Sequence, residues 1–314
     1  MTLFAMLHYT TMLRLLVTSV VLLAALRAQA YCLLTTEMPT PGDNCAGTGV
    51  GLKWQRSCMS FTMRQRARPA PSFEDIRDVA DLSFVSWMQV SCESGPVGLG
   101  VAQTEQLGEC AEPEYNQRAP NANTIIFVDD WSARELPPDA FGLTLVWHNP
   151  DDGEIYDADM QINETLGELE LCGAVCPEGR VDLQNVITHE AGHFFGLGHS
   201  NVRTATMSAR ASVGEISKRD LSDDDRAGLC AIYGGSPRQR CESSDFMPDN
   251  GFSPHCWSGE DQTVGRRGLC SASAPGRHPS GGWPGLTAVA TLLAVLVRRR
   301  KPRGVSAPRV GWTA

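Results

Sequence analysis

An α+β fold is predicted by three observations: strand candidates at residues 58–63, 124–128, 143–147 and 154–162, amphipathic helices at 73–87 and 183–194, and a further capped helix opening at Ser222. The chain has 314 residues, 42% of them hydrophobic and 20% charged, enough to build a sizeable core. Lys and Arg number 27 against 36 Asp and Glu, a net charge of -9, and several of the basic residues crowd into positions 298–314. The body is therefore more acidic than the total. Nucleic-acid binding, which needs clustered Lys and Arg to neutralise phosphates, is not expected.

The elements follow from local chemistry. Residues 31–51 are rich in Thr, Pro and Gly without a hydrophobic period and read as an irregular segment. Residues 58–63 alternate as a strand does, and the prolines at 69 and 71 end that region. Ser72 with Asp75 three positions on is a capping signal. Phe73, Ile76, Val79, Ala80, Phe84 and Trp87 then recur at helical spacing, which makes this helix face the core. The strands at 124–128 and 143–147 are β-branched or aromatic and bounded by Asn, Asp and Pro, whereas 154–162 alternates less cleanly. Asp182 opens the next helix, whose stripe is Leu183, Val186, Ile187, Ala191 and Phe194. Ser222 and Asp225 cap the last one, with Asp223 and Asp224 in the turn where the helix dipole favours negative charge, and Gly234 and Gly235 close it.

Eleven cysteines imply an oxidising compartment. Arg14, the apolar run at 15–26 and Ala28-Gln29-Ala30 form a leader with expected cleavage after Ala30. That run is too short to span a bilayer. At the other end, Cys270, a small and polar spacer at 271–282, an apolar run at 285–297 and the cluster Arg298, Arg299, Arg300 and Lys301 resemble a myxobacterial C-terminal sorting signal. That resemblance implies surface attachment with removal of the tail. The competing expectation is a retained anchor at 285–297 with a basic tail at 298–314. Residues 236–284 read as a cysteine-containing stalk and spacer.

The chemistry sits on the second helix, at His189-Glu190-Ala191-Gly192-His193-Phe194-Phe195-Gly196-Leu197-Gly198-His199. Histidines four apart lie one turn above each other, so His189 and His193 can converge on one metal. Zinc suits such ligands. Gly196 can stop the helix in a left-handed conformation, and Gly198 adds freedom for the chain to swing His199 back as a third ligand. Glu190 projects close enough to contact water at the metal. A zinc held purely for structure usually has four ligands including thiolates, and no cysteine lies beside this motif. Three ligands leave a position for water, as catalysis needs.

This motif, followed by Ser200 and by Met207 eight residues after His199, is similar to a matrixin-type metzincin. Supporting similarities are Asp157-Ala158-Asp159 with Asn163-Glu164, and Leu221-Ser222-Asp223-Asp224-Asp225. The resemblance spans about residues 52–235 and implies a zinc endopeptidase with a twisted mixed sheet, an active-site helix and a small C-terminal subdomain. It further implies that His189, His193 and His199 bind one catalytic zinc, that Glu190 is the general base acting on zinc-bound water, and that Met207 forms the turn beneath the metal. The strand at 157–162 is expected to offer its edge to an extended peptide.

Departures from the family pattern also shape the expectation. His148 stands alone and Asp159 occupies a place where a histidine is expected, so a second zinc is not predicted. Asp151, Asp152, Asp157 and Asp159 are candidates for calcium through hard oxygen ligands. Ser208 and Ala209 replace the usual aromatic and proline after the turn methionine, and no family-type inhibitory cysteine segment precedes the domain. Without Cys270 ten cysteines remain, compatible with five disulfides. Local guesses are Cys172 with Cys176, Cys241 with Cys256, and Cys58 with Cys92, while Cys32 and Cys45 are also expected in disulfides. The expected protein is a monomeric, secreted or surface-anchored protease acting on protein or peptide substrates. The alternatives are an inactive adhesin or binding module on the same scaffold, and a lipoprotein with a purely structural zinc.

Overall fold

The computed structural model describes residues 30–37, 48–64, 66, 70–104, 108–116, 121–235, 240–246 and 256, and the backbone of 309–313. The expected leader up to residue 29, Cys45, Cys270, the spacer, the apolar run at 285–297 and the basic cluster after it lie outside the described residues. Among the described residues no helix is long and apolar enough to cross a membrane.

Chain order begins with β1 (Cys32–Leu33), β2 (Cys58–Met63), helix α1 (Phe73–Met88), the hairpin of β3 (Ser91–Cys92) and β4 (Gly95–Pro96), and β5 (Gly100–Gln103). It continues through β6 (Asn123–Val128), β7 (Ala140–His148), β8 (Ile155–Asn163), β9 (Glu168–Glu170) and β10 (Arg180–Asp182). Helix α2 (Leu183–Phe194), β11 (Leu197–Gly198), helix α3 (Asp223–Tyr233) and β12 (Arg309–Thr313) complete it. Six strands form one mixed sheet in the order β12-β7-β8-β6-β2-β5. β2, β5, β6 and β8 pair in parallel, while β7 runs antiparallel to β8 and β12 antiparallel to β7.

This order corrects the expectation that the strand at 157–162 offers an edge. β8 lies between β6 and β7, and nearly all of its residues are buried. A strand covered on both faces has no polar side to alternate, which explains the blurred pattern there. Next to β8 is β7, whose outer edge pairs with β12 in the register Thr144 to Val310. It begins earlier than expected because Ala140 and Gly142 lack strand-like side chains although both are paired in the sheet.

Each helix starts where its cap chemistry requires. The Ser72 hydroxyl accepts from the Asp75 N–H at 3.2 Å, and the Asp182 carboxylate from the Asn185 N–H at 2.9 Å. Ser222 and Asp225 form a reciprocal capping box. The apolar stripe of α1 packs against α2 and the sheet: the Phe84 ring stacks on Phe61 at 4.8 Å and meets Phe194 edge-on at 5.1 Å. Burial of each such ring contributes roughly 2–3 kcal/mol. Buried polar atoms are used as well. The Trp87 indole donates to the Thr188 carbonyl at 2.9 Å, and the Trp54 indole to the Phe194 carbonyl at 2.8 Å. Both carbonyls belong to α2, so the two tryptophans fix that helix along its length.

Two of the local disulfide guesses are overturned. Cys58 bonds to Cys241 and not to Cys92, Cys92 bonds to Cys230, and Cys110 bonds to Cys256. Proximity in sequence misled here, because the sheet brings β2 beside a segment 183 residues later. Cys172 and Cys176 do pair, and Cys32 is also disulfide-bonded. The stretch read as irregular is partly ordered: β1 pairs with β11, and Leu34 belongs to the core.

Candidate metal centre

Helix α2 places His189 and His193 one turn apart, and both are completely buried. After Phe194 the helix ends at Gly196, whose φ of +92° is left-handed and whose α-carbon lies against the Leu52 backbone. An added Cβ would sit 2.3 Å from the Leu52 carbonyl oxygen, so both conformation and space demand glycine. β11 then returns the chain, and His199 arrives beside the other two. The ligand-capable atoms of His189, His193 and His199 all lie within 4.8 Å of one another. His199 is the half-buried member, so the centre opens to solvent on its side.

Hydrogen bonds fix which nitrogen faces the centre. Nδ1 of His189 lies 2.6 Å from the Thr206 carbonyl, and Nδ1 of His193 lies 2.7 Å from the Leu197 carbonyl. A carbonyl only accepts, so both Nδ1 atoms carry the proton and both Nε2 atoms present a lone pair. Burial, the main cause, holds His189 and His193 well below the ordinary imidazole range, and neighbouring cationic or imidazole groups add to it. His199 is lowered to about 4, first by burial and then by Lys218. Neutral imidazoles with inward lone pairs are the form a divalent metal requires. The Nε2 atoms of His193 and His199 are 3.2 Å apart. Zinc at about 2.0–2.1 Å from each nitrogen needs a separation of about 3.4 Å, so this pair is spaced for zinc and the three imidazoles suit it in kind.

The segment containing Met207 runs beside His189, whose Nδ1 it meets through the Thr206 carbonyl. An added Cβ on Gly192 would lie 2.1 Å from the Met207 sulfur, so glycine is what allows the methionine to lie against the helix. The segment is held from two sides. The Asp225 carboxylate accepts the N–H groups of Thr206 at 2.8 Å and Met207 at 2.9 Å. Lys218, only 1% exposed, donates to the carbonyls of Thr206 at 3.1 Å and Ser208 at 2.8 Å. Burial outweighs Glu215 and Asp225 and lowers its ammonium to about 8. Lys218 went unnoticed in the sequence, where Ser217-Lys218-Arg219 reads as an ordinary polar stretch and carries no spacing signal.

Glu190 is completely buried on the face of α2 turned toward β7, where Thr144 donates to its carboxylate at 2.6 Å. The structure thus gathers His189, His193 and His199, with Glu190 on the same helix facing β7 and Met207 lying against Gly192 of that helix. Asp159 is committed elsewhere: its carboxylate accepts from the Thr124 N–H at 2.7 Å and from the Glu114 N–H at 2.9 Å. Asp151, Asp152, Asp157 and Asp159 form no group of converging ligand atoms among the described residues. His148 is buried at the end of β7, apart from the histidine trio.

The matrixin family model matches residues 120–234. Metalloendoproteinase 1-MMP of Arabidopsis thaliana is 44% identical over 75 residues, which is 23% of this chain and 20% of that protein. Metalloendoproteinase 5-MMP of the same plant is 47% identical over 57 residues, 18% of this chain and 16% of the relative. Human matrix metalloproteinase-25 is 44% identical over 59 residues, 18% of this chain and 10% of the relative. The chain thus aligns with a tenth to a fifth of the length of these relatives. Together the matches support a matrixin-type metalloprotease domain around the metal centre. The mixed sheet and few helices are consistent with the α+β architecture of that class.

Proposed function

We propose that the chain is a zinc-dependent endopeptidase that hydrolyses peptide bonds in protein or peptide substrates. The convergence of three neutral imidazoles, two of them on the helix that also carries the buried Glu190, carries this reading. His189, His193 and His199 would hold the zinc, and Met207 supports the floor of the site. A zinc ion there supplies Lewis acidity, which makes water a nucleophile near neutral pH and polarises the scissile carbonyl. Glu190 takes the proton from the attacking water and returns it to the leaving amine, as one carboxylate within reach of both can do. The substrate adds as an extended strand to the outer edge of β7, where main-chain pairing sets its register. β12 pairs with that edge in antiparallel fashion, so a substrate strand would have to take the place of β12.

Export and attachment at the cell surface, through the leader and the C-terminal sorting-type segment, are part of the same proposal. The disulfides among the described residues support an oxidising compartment.

The test is a digest of a peptide library by the zinc-loaded protein, with and without a chelator, beside Glu190→Ala. The expected outcome is cleavage that the chelator abolishes and zinc restores, with Glu190→Ala retaining zinc but losing at least about a hundredfold in rate. Chelator-insensitive cleavage, or full activity in the alanine variant, rejects the reading. Stoichiometric zinc without any cleavage favours the inactive scaffold.

A further inference from the structure

Gly142 and Thr144 stand two apart on β7 and both approach Glu190 of α2. The Thr144 hydroxyl lies 2.6 Å from Oε2 of Glu190 and 3.4 Å from the Glu190 carbonyl. One hydroxyl proton serves one acceptor, and the shorter contact to the charged group takes it. Both residues are fully buried. At Gly142 an added Cβ would lie 2.6 Å from Oε1 and 2.8 Å from the carboxyl carbon of Glu190. The strand therefore offers the carboxylate a donor at one position and empty space at the other.

From this geometry we infer that Thr144 is a positioning residue, its hydroxyl holding the Glu190 carboxylate in one rotamer for proton transfer. The inference rests on the reading of Glu190 as the general base. Physically, a glutamate side chain has several rotamers to choose among, and ordering it costs conformational entropy. A threonine is stiff about its first side-chain bond, and Thr144 sits on a strand paired with Met160 of β8. The hydroxyl direction is therefore set by the sheet before substrate arrives. A base held in place needs no reorganisation at the moment of transfer, and displacement by about 1 Å can cost a hundredfold in rate. In this scheme Thr144 touches neither substrate nor metal and acts only through Glu190, to whose carboxylate it donates.

The experiment compares Thr144→Val and Thr144→Ser in the zinc-loaded full chain, reading kcat and KM on a fluorogenic peptide together with zinc content. Crystal structures of the zinc-free variants supply a readout independent of activity. In Thr144→Val, which keeps the shape and loses the donor, kcat should fall roughly ten- to a hundredfold, with KM within about twofold and zinc stoichiometry unchanged. Glu190 should then occupy more than one rotamer. Thr144→Ser should restore most of kcat and the single rotamer. Wild-type kcat in the valine variant, or a serine variant no better than valine, overturns the role. So does an unchanged Glu190 rotamer in the valine crystal. Failure of the broader reading looks different, because then Glu190→Ala would match wild type whatever stands at 144.

Discussion

The Asp225 carboxylate accepts the Met207 N–H at 2.9 Å, so the cap of α3 and the segment that hydrogen-bonds His189 share one side chain. Asp225 is 1% exposed and also receives the Thr206 N–H at 2.8 Å and the Ser222 N–H at 2.8 Å. Three backbone donors thus converge on a carboxylate contributed by the first turn of a helix. Stability and site geometry are coupled at this point.

Asp225→Ala should therefore cost about 3 kcal/mol or more, since it leaves buried N–H groups without an acceptor and removes a cap. Urea unfolding of the zinc-free protein measures it. A loss below about 1 kcal/mol would mean that the segment holds its own shape without Asp225.

Gly192→Ala sets two effects against each other. Helix propensity favours alanine by about 1 kcal/mol. The new methyl group, however, would meet the Met207 sulfur at 2.1 Å and the Trp87 ring at 2.8 Å. Overpacking of this kind costs typically about 1–3 kcal/mol, so a net loss of stability and weaker zinc retention are expected. Thermal unfolding and zinc analysis decide; a rise in melting temperature would show that the contact relaxes freely.

Removing Cys92–Cys230 should hurt more than removing Cys172–Cys176. The first links positions 138 residues apart and the second positions 4 apart. Loop-closure entropy assigns about 5 kcal/mol to the former and about 2 kcal/mol to the latter, as upper values. Paired Cys→Ser variants compared by denaturant unfolding check the ranking, which fails if the short loop matters more.

Asp159 yields a pH prediction with a definite sign. Burial raises its carboxyl from 3.8 to about 7, against hydrogen bonds from Thr124 and Glu114 that favour ionisation. Between about 4 and 7 the folded chain keeps this proton while the unfolded chain has lost it. Its stabilising contribution is thus complete below about 4, declines as pH rises to about 7, and is constant above. The stability difference between wild type and Asp159→Asn should fall by on the order of 2–3 kcal/mol from pH 5 to pH 8. Urea titrations at both pH values measure this, and a flat difference contradicts it.

Much of the centre was legible because its chemistry is local. His189 and His193 are related by one helical turn, Gly196 ends the helix, and the caps at Ser72, Asp182 and Ser222 sit beside the donors they satisfy. What escaped depends on residues far apart in the chain. Thr144 is an ordinary strand residue until the sheet sets it against Glu190, 46 positions later. Lys218 looks solvated until it is enclosed by the carbonyls it serves. β8 lost its signature through burial on both faces, and the cysteine partners follow from strand order, which short-range pattern does not encode.

Leu33 pairs with Leu197, and the Leu34 N–H donates to the Gly196 carbonyl at 2.8 Å. The loop that delivers His199 is thereby stitched to some of the earliest described residues. Recombinant versions trimmed past position 34 would leave that loop untethered. Such a protein could retain its sheet and still grip an ion poorly, so the choice of starting residue decides whether an assay measures the intact site or its loosened remainder.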